Sequence, residues 1–379
     1  MADMAHPPSF NLPAAWPFWA SIALLPIVGI AASFGGWTLL LVPLSTWWLF
    51  GTLDAAIGST DQNADPNAPD SAIRWHMAVT LLWPALQLVL IFGTIAFNAD
   101  ATHLVLWEKI ALAGGIGVLT GAIGINYAHE LMHQKSRLEG WLADILMTSV
   151  LYGHFRSEHL LVHHRYVGTP RDYVTAKKGQ NFHRSLFPTL WGCLKSAWQA
   201  EVTLLARRAL PAWHRRNPFW RYGLMQVAFA LLAYGLGGAI GLAMFGIQAA
   251  VAVWQLELVN FVEHYGLTRK YLGDGKYEHV KPRHSWNNTR KASNWLLINL
   301  QRHSDHHFKP GRRFPLLQTY GEDEAPELPF GYPVMTILAL MPPLWRHVMD
   351  PRVKAWRKRF YPEIEDWMPY NKGTNPMPR

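Results

Sequence analysis

Residues 106–135 read LWEKIALAGGIGVLTGAIGINYAHELMHQK. From Ile110 to Ala128 no residue is charged, and the run closes on His129 and His133. A helix needs about 20 apolar residues to cross a hydrocarbon core, so this stretch predicts a membrane-spanning helix. Residues i and i+4 share a helix face, so its inner end presents two imidazoles to one point. His-Glu-x-x-His is also the pattern by which many zinc peptidases hold their metal. That pattern alone leaves the metal and the reaction open.

Working outward, five further stretches are long and apolar enough to span. With 106–131 they lie near 15–34, 36–57, 74–98, 221–241 and 243–265. "YGLGGAIG" (234–241) leaves room only for a tight turn between the last two, which predicts a hairpin. "GWLADILMTSVLYG" (140–153) is apolar but short, and reads as a buried or re-entrant helix at the membrane surface. Half the residues are hydrophobic and 16% are charged, against about 25% in ordinary soluble domains. The fold class expected is an all-α integral membrane protein, with six transmembrane helices and a cytoplasmic, histidine-rich helical cap. It forms one catalytic unit, 1–379, with the cap drawn from 132–220 and 266–345 and a C-terminal tail at 346–379.

Charge sets the orientation. Of 35 Lys and Arg, 14 fall in 134–221 and 19 in 266–379, leaving Arg74 and Lys109 elsewhere. The positive-inside rule places both basic regions in the cytoplasm, and an even number of spans returns both termini to that side. This bias accounts for the net charge of +9 without invoking nucleic acid, while a basic face suits an acidic protein partner. The N-terminus has no basic leader, so the first span is expected to be retained. The single Cys193 excludes a disulfide framework, a cysteine-rich zinc site or an iron–sulfur centre within these residues.

Four motifs carry clustered histidines: "HELMH" with His129 and His133; "SEHLLVHH" with His159, His163 and His164; "NFVEHYGL" with His264; and "LQRHSDHH" with His303, His306 and His307. At helical spacing 129/133, 159/163 and 303/307 each share a face. His306 lies close to the face of His303, and His164 is turned about 100° from His163. Nine imidazoles are too many for one tetrahedral zinc and suit two metals with four or five ligands each. Imidazole accepts zinc, copper, iron or nickel, but a nitrogen-rich pair of metals at a membrane face favours iron and dioxygen chemistry. Ligating imidazoles usually donate their other N–H to a carboxylate or carbonyl. Glu130, Glu158, Glu263 and Asp305 are the candidates for that support, with Asn126 and Asn260 one turn before His129 and His264. Direct ligation, or pairing with Arg156, Arg165 or Arg302, is the alternative for the acids. Above His129 the same helix face continues through Ala122, Val118 and Gly115, small enough to leave an apolar channel or to let helices pack closely.

With these motifs in hand, the chain resembles the membrane-bound alkane 1-monooxygenase (AlkB) family of the membrane fatty acid desaturase and hydroxylase group. "NFVEHYGL" and "LQRHSDHH" carry most of that resemblance, which runs from the second span to about residue 320. Gln134, Val162 and Phe261 stand where the family commonly has Lys, Gly and Tyr. The resemblance implies a non-haem di-iron enzyme that uses O2 to convert medium-chain n-alkanes to 1-alkanols in a bacterial inner membrane. Its electrons would come from rubredoxin, recharged by a rubredoxin reductase. It also implies a bulky residue on the second span that limits chain length, Trp47 or Trp48, although either could be an interior packing residue. A fatty acyl desaturase, a related di-iron hydroxylase and, more remotely, an intramembrane zinc peptidase are the competing readings.

Overall fold

The computed structural model describes residues 12–372, and nearly all of the regular structure is helical. Five helices are long and apolar enough to cross a membrane: α1 (Leu12–Phe34), α2 (Gly36–Ile57), α3 (Arg74–Asn98), α4 (Leu106–Met132) and α8 (Phe219–His264). Between and after them lie α5 (Arg137–Ser149), α6 (155–166), α7 (Phe182–Ala206), α9 (Lys291–Leu296), α10 (His303–Phe308), α11 (Tyr332–Ala339) and α12 (Pro342–Phe360). One small antiparallel hairpin pairs Tyr271–Gly273 with Lys276–Tyr277.

Helix α8 has 46 residues, far more than one crossing needs. Its backbone leaves helical geometry at Gly237 (φ −148°) and Gly238 (φ +56°). A Cβ placed on Gly241 would sit 2.5 Å from the Ala233 carbonyl oxygen. Eight residues along a straight helix are separated by about 12 Å, so the chain doubles back at the glycine pair. The expected hairpin is there, with its turn at 237–238 inside the YGLGGAIG stretch, so the two spans meet a few residues before their expected bounds at 241 and 243. Gly238 supplies the left-handed φ that other residues adopt only under strain.

The outer surface of these helices is apolar, as a lipid-facing surface must be. Phe34, Trp37, Val89, Leu224 and Leu231 are all more than half exposed. Inside, the small residues of α4 act as contact points. Gly115 faces Val42 of α2, and Gly121 lies against the backbone of Ala252. At the opposite end from the histidines, the Lys109 ammonium is buried and donates to the Ala99 carbonyl at 2.6 Å, which satisfies it.

The cap closes over the histidine end of the bundle. Helix α5 is buried along one face as anticipated for 140–153, and its Asp144 pairs with Arg156 at 3.0 Å and Arg221 at 2.7 Å. Asp54 at the end of α2 accepts hydrogen bonds from the Ser293 N–H and hydroxyl, at 2.9 and 2.5 Å, and so ties α9 to the bundle. Residues 346–360, expected as tail, instead continue α12. Met349, Val353 and Trp356 bury its inner face, so the basic residues that suggested a tail mark only its exposed face. The remainder of that tail beyond 372 lies outside the described residues.

Candidate metal centre

The nine clustered histidines converge in two groups. His129, His133, His159, His164 and His306 form one; His163, His264, His303 and His307 form the other. Within each group the ligating atoms lie within 4.8 Å of one another. In the first, Nε2 atoms approach in series, His133 to His159 at 3.0 Å, His159 to His164 at 2.9 Å and His164 to His306 at 3.0 Å. In the second, His303 meets His264 at 3.2 Å and His307 at 3.0 Å.

The division departs from α-helical expectation, and the reason is local. Residues His159–His163 form a π-helical turn, where the hydrogen bond runs from i to i+5. His159 therefore aligns with His164, five residues on, and His163 is turned away into the four-histidine group. Helix α10 splits similarly, with His303 and His307 facing one group and His306 the other. Only 129/133 and 303/307 pair as their spacing predicts. A second π-helical turn, Thr120–Ile125, directly precedes the "NYAHELMH" end of α4.

Their surroundings keep these imidazoles neutral. Burial pushes the His133 imidazole down to about 3, with His163 adding to the effect. His159, His164, His303, His306 and His307 are also held well below the usual range, first by burial and then by neighbouring imidazoles. A neutral imidazole is the ligating form. Ring nitrogens this close need a proton or a cation between them. Among the described residues His129 Nε2 is buried with no hydrogen-bond partner, as a metal-facing atom should be. The residues fit two metal ions.

The expected supporting acids prove unequal. Glu263 reaches the centre itself, its Oε2 at 3.3 Å from the metal-facing Nε2 of His303. Glu130 instead accepts from Gln134 at 3.2 Å, and Asp305 is held by Arg312, Tyr320 and the Gln318 N–H. Neither contacts a histidine ring in these bonds. Among the described residues both Glu158 oxygens are buried without a hydrogen bond, and burial, with Asp172 and Glu257 nearby, holds that carboxyl well above the ordinary range. Asn126 donates to the Leu297 carbonyl at 2.5 Å, and Asn260 to Glu257 at 3.4 Å.

One supporting residue had no adjacent histidine to mark it. Asp172 accepts from His163 Nδ1 at 3.0 Å and from the Thr175 hydroxyl at 2.6 Å. The chain turns back after α6, so an acid nine residues away reaches the ring. Its position in "GTPRDY", a turn-forming stretch directly after a histidine cluster, is the only signal the sequence offers.

An apolar cavity ends on the metal centre. Thr46 and Trp47 of α2, Ala122 and Ile125 of α4, and Leu256 and Val259 of α8 form much of its wall. His129, His159, His303 and Glu263 also line it, as do Asn126 and Asn260. Trp47 stacks on Trp254 with ring centroids 6.5 Å apart, whereas Trp48 is 61% exposed on the outside of the bundle. Gly115 and Val118 are absent from the lining.

Membrane helices and two histidine groups, each able to hold a metal ion, are the marks of the membrane desaturases and hydroxylases. The fatty acid desaturase family profile matches residues 106–339. Alkane 1-monooxygenase 2 of Pseudomonas aeruginosa is 36% identical over 355 residues, covering 85% of this chain and 92% of its own. Alkane 1-monooxygenase of Pseudomonas putida is 34% identical over 348 residues, covering 89% and 84%. The chain belongs to the alkane 1-monooxygenase family, and it is an oxidoreductase integral to a membrane.

Proposed function

We propose that this protein is a non-haem di-iron monooxygenase that hydroxylates the terminal carbon of medium-chain n-alkanes to 1-alkanols. It uses O2 and two electrons from rubredoxin, which a rubredoxin reductase recharges. The observation that carries this reading is the apolar cavity ending on His129, His159 and His303. A narrow apolar wall selects a hydrocarbon chain, and the histidines at its end select the terminal carbon as the site of reaction.

Imidazole accepts zinc, copper, iron or nickel; nine imidazoles in two groups, in a chain similar to proteins named monooxygenases, support a redox metal and therefore iron. Bound iron would supply O2 activation, placing one oxygen atom in the C–H bond while the other leaves as water.

The residues do the rest. Asp172 fixes the His163 ring, Trp47 and Ala122 shape the cavity, and the buried surroundings exclude bulk water. The basic regions, carrying 33 of the 35 Lys and Arg, support a cytoplasmic cap with both termini on that side of a bacterial inner membrane. In that orientation the electron donor approaches from the cytoplasm and the alkane from the bilayer. The test is purified protein supplied with octane, O2, rubredoxin, its reductase and NADH. 1-Octanol formed in step with NADH consumed supports the reading; no alcohol from metal-replete protein refutes it.

A further inference from the structure

Hydroxylation balances only as RH + O2 + 2e⁻ + 2H⁺ → ROH + H2O, so two protons must reach a centre whose ligands are buried. Two carboxyls around that centre are committed elsewhere, while Glu158, which has no hydrogen bond among the described residues, lines neither the apolar cavity nor the arginine-bearing groove. Asp172 holds His163 and Thr175, and Asp305 is ion-paired to Arg312.

Glu257 is not committed in this way. It lies on α8, seven residues before His264, is 4% exposed, and among the described residues has no ion-pair partner. Its carboxylate accepts from the Tyr152 hydroxyl at 2.8 Å and from Asn260 Nδ2 at 3.4 Å. The titratable groups facing it are Tyr152, Glu158, His163, Asp172 and Cys193. An uncompensated carboxylate is costly to bury, so its retention there calls for a reason.

Its surroundings supply one. Glu257 lines a void of about 10 Å³ together with Tyr173, Gln180 and Thr189, room for about one water. The same three residues also line a groove of about 1030 Å³, whose wall carries Arg165, Arg171 and Arg207. On the other side Asn260, bonded to Glu257, lines the apolar cavity. Glu257 therefore lies between an arginine-bearing groove and the reaction cavity, which it meets through Asn260.

We infer that Glu257 passes protons from the groove to the reaction cavity. A water in the void protonates one carboxylate oxygen. The carboxyl then gives up a proton to water on the cavity side, beside Asn260, where the reaction consumes it, and is recharged from the groove. This inference rests on the monooxygenase reading, and wild-type 1-octanol formation is the control that separates the two.

The test compares detergent-purified, metal-replete wild type with Glu257→Gln, Glu257→Asp and Tyr152→Phe. Metal content, octane turnover, peroxide released per O2 and the effect of D2O on kcat are measured. Glu257→Gln should keep its metal and its KM for octane while kcat falls about 100-fold or more. Peroxide release and the D2O effect should both rise, Glu257→Asp should restore part of the rate, and Tyr152→Phe should show a smaller loss. A Glu257→Gln enzyme with unchanged kcat, peroxide release and D2O effect overturns the inference. So does one whose loss of rate follows loss of metal, since that marks a structural role. Wild type that makes no 1-octanol refutes the monooxygenase reading and the inference with it.

Discussion

Asp172 and Trp47 show how much one side chain decides. Asp172 is the carboxylate that holds the outer nitrogen of a histidine in the four-histidine group, and such partners contribute about 10- to 100-fold to metal affinity. Asp172→Asn should therefore lower the metal content of that group first, leaving close to one metal per chain after mild chelation; an unchanged content would show that His163 needs no anchor. Trp47 lines the cavity while Trp48 faces outward. Trp47→Ser is expected to extend turnover to longer alkanes and Trp48→Ser to leave the chain-length profile unchanged, both read by product chromatography. At this scale the histidines were legible because residue type and spacing carry ligand chemistry. The supporting carboxylates were not, because an acid beside a histidine in sequence points wherever the helix turns it. Glu130 and Asp305 point away, Glu263 reaches the His303 ring, and the acid on the His163 ring comes from a loop.

Among elements, helix type determines which metal group each histidine joins. The π-helical turn His159–His163 aligns 159 with 164, and sequence spacing read at 3.6 residues per turn cannot reveal it. The "NFVEHYGL" element ends in Gly266, where φ is +73° and a Cβ would lie 2.7 Å from Val353. Gly266→Ala should combine backbone strain with overpacking against α12, a cost of about 2–4 kcal/mol. The thermal midpoint in detergent should fall by several degrees; an unchanged midpoint would mean that α12 is not seated there. Burial also sets the response of the metal elements to acid. Because the imidazole of His133 lies near 3 and others of both groups are likewise lowered, protons compete with metal only well below the usual range near 6.5. Metal content after dialysis at pH 6 should equal that at pH 8; loss setting in between pH 7 and 6 would mark the ligands as ordinary exposed histidines.

Across the whole molecule, the apolar surface, the basic cap and the histidine groups suit the proposed division, in which hydrocarbon would come from the bilayer and electrons and protons from the polar side. The long spans and the hairpin at Gly237–Gly238 were readable from hydropathy and glycine placement. The packed part of α12 was not, because a helix that buries Met349, Val353 and Trp356 among many cations resembles a solvated tail until its partner surface is known. The central claim is that two histidine groups each hold a redox iron. Metal analysis of the purified protein tests it most directly. Two irons per chain are predicted; a single zinc per chain would contradict the account.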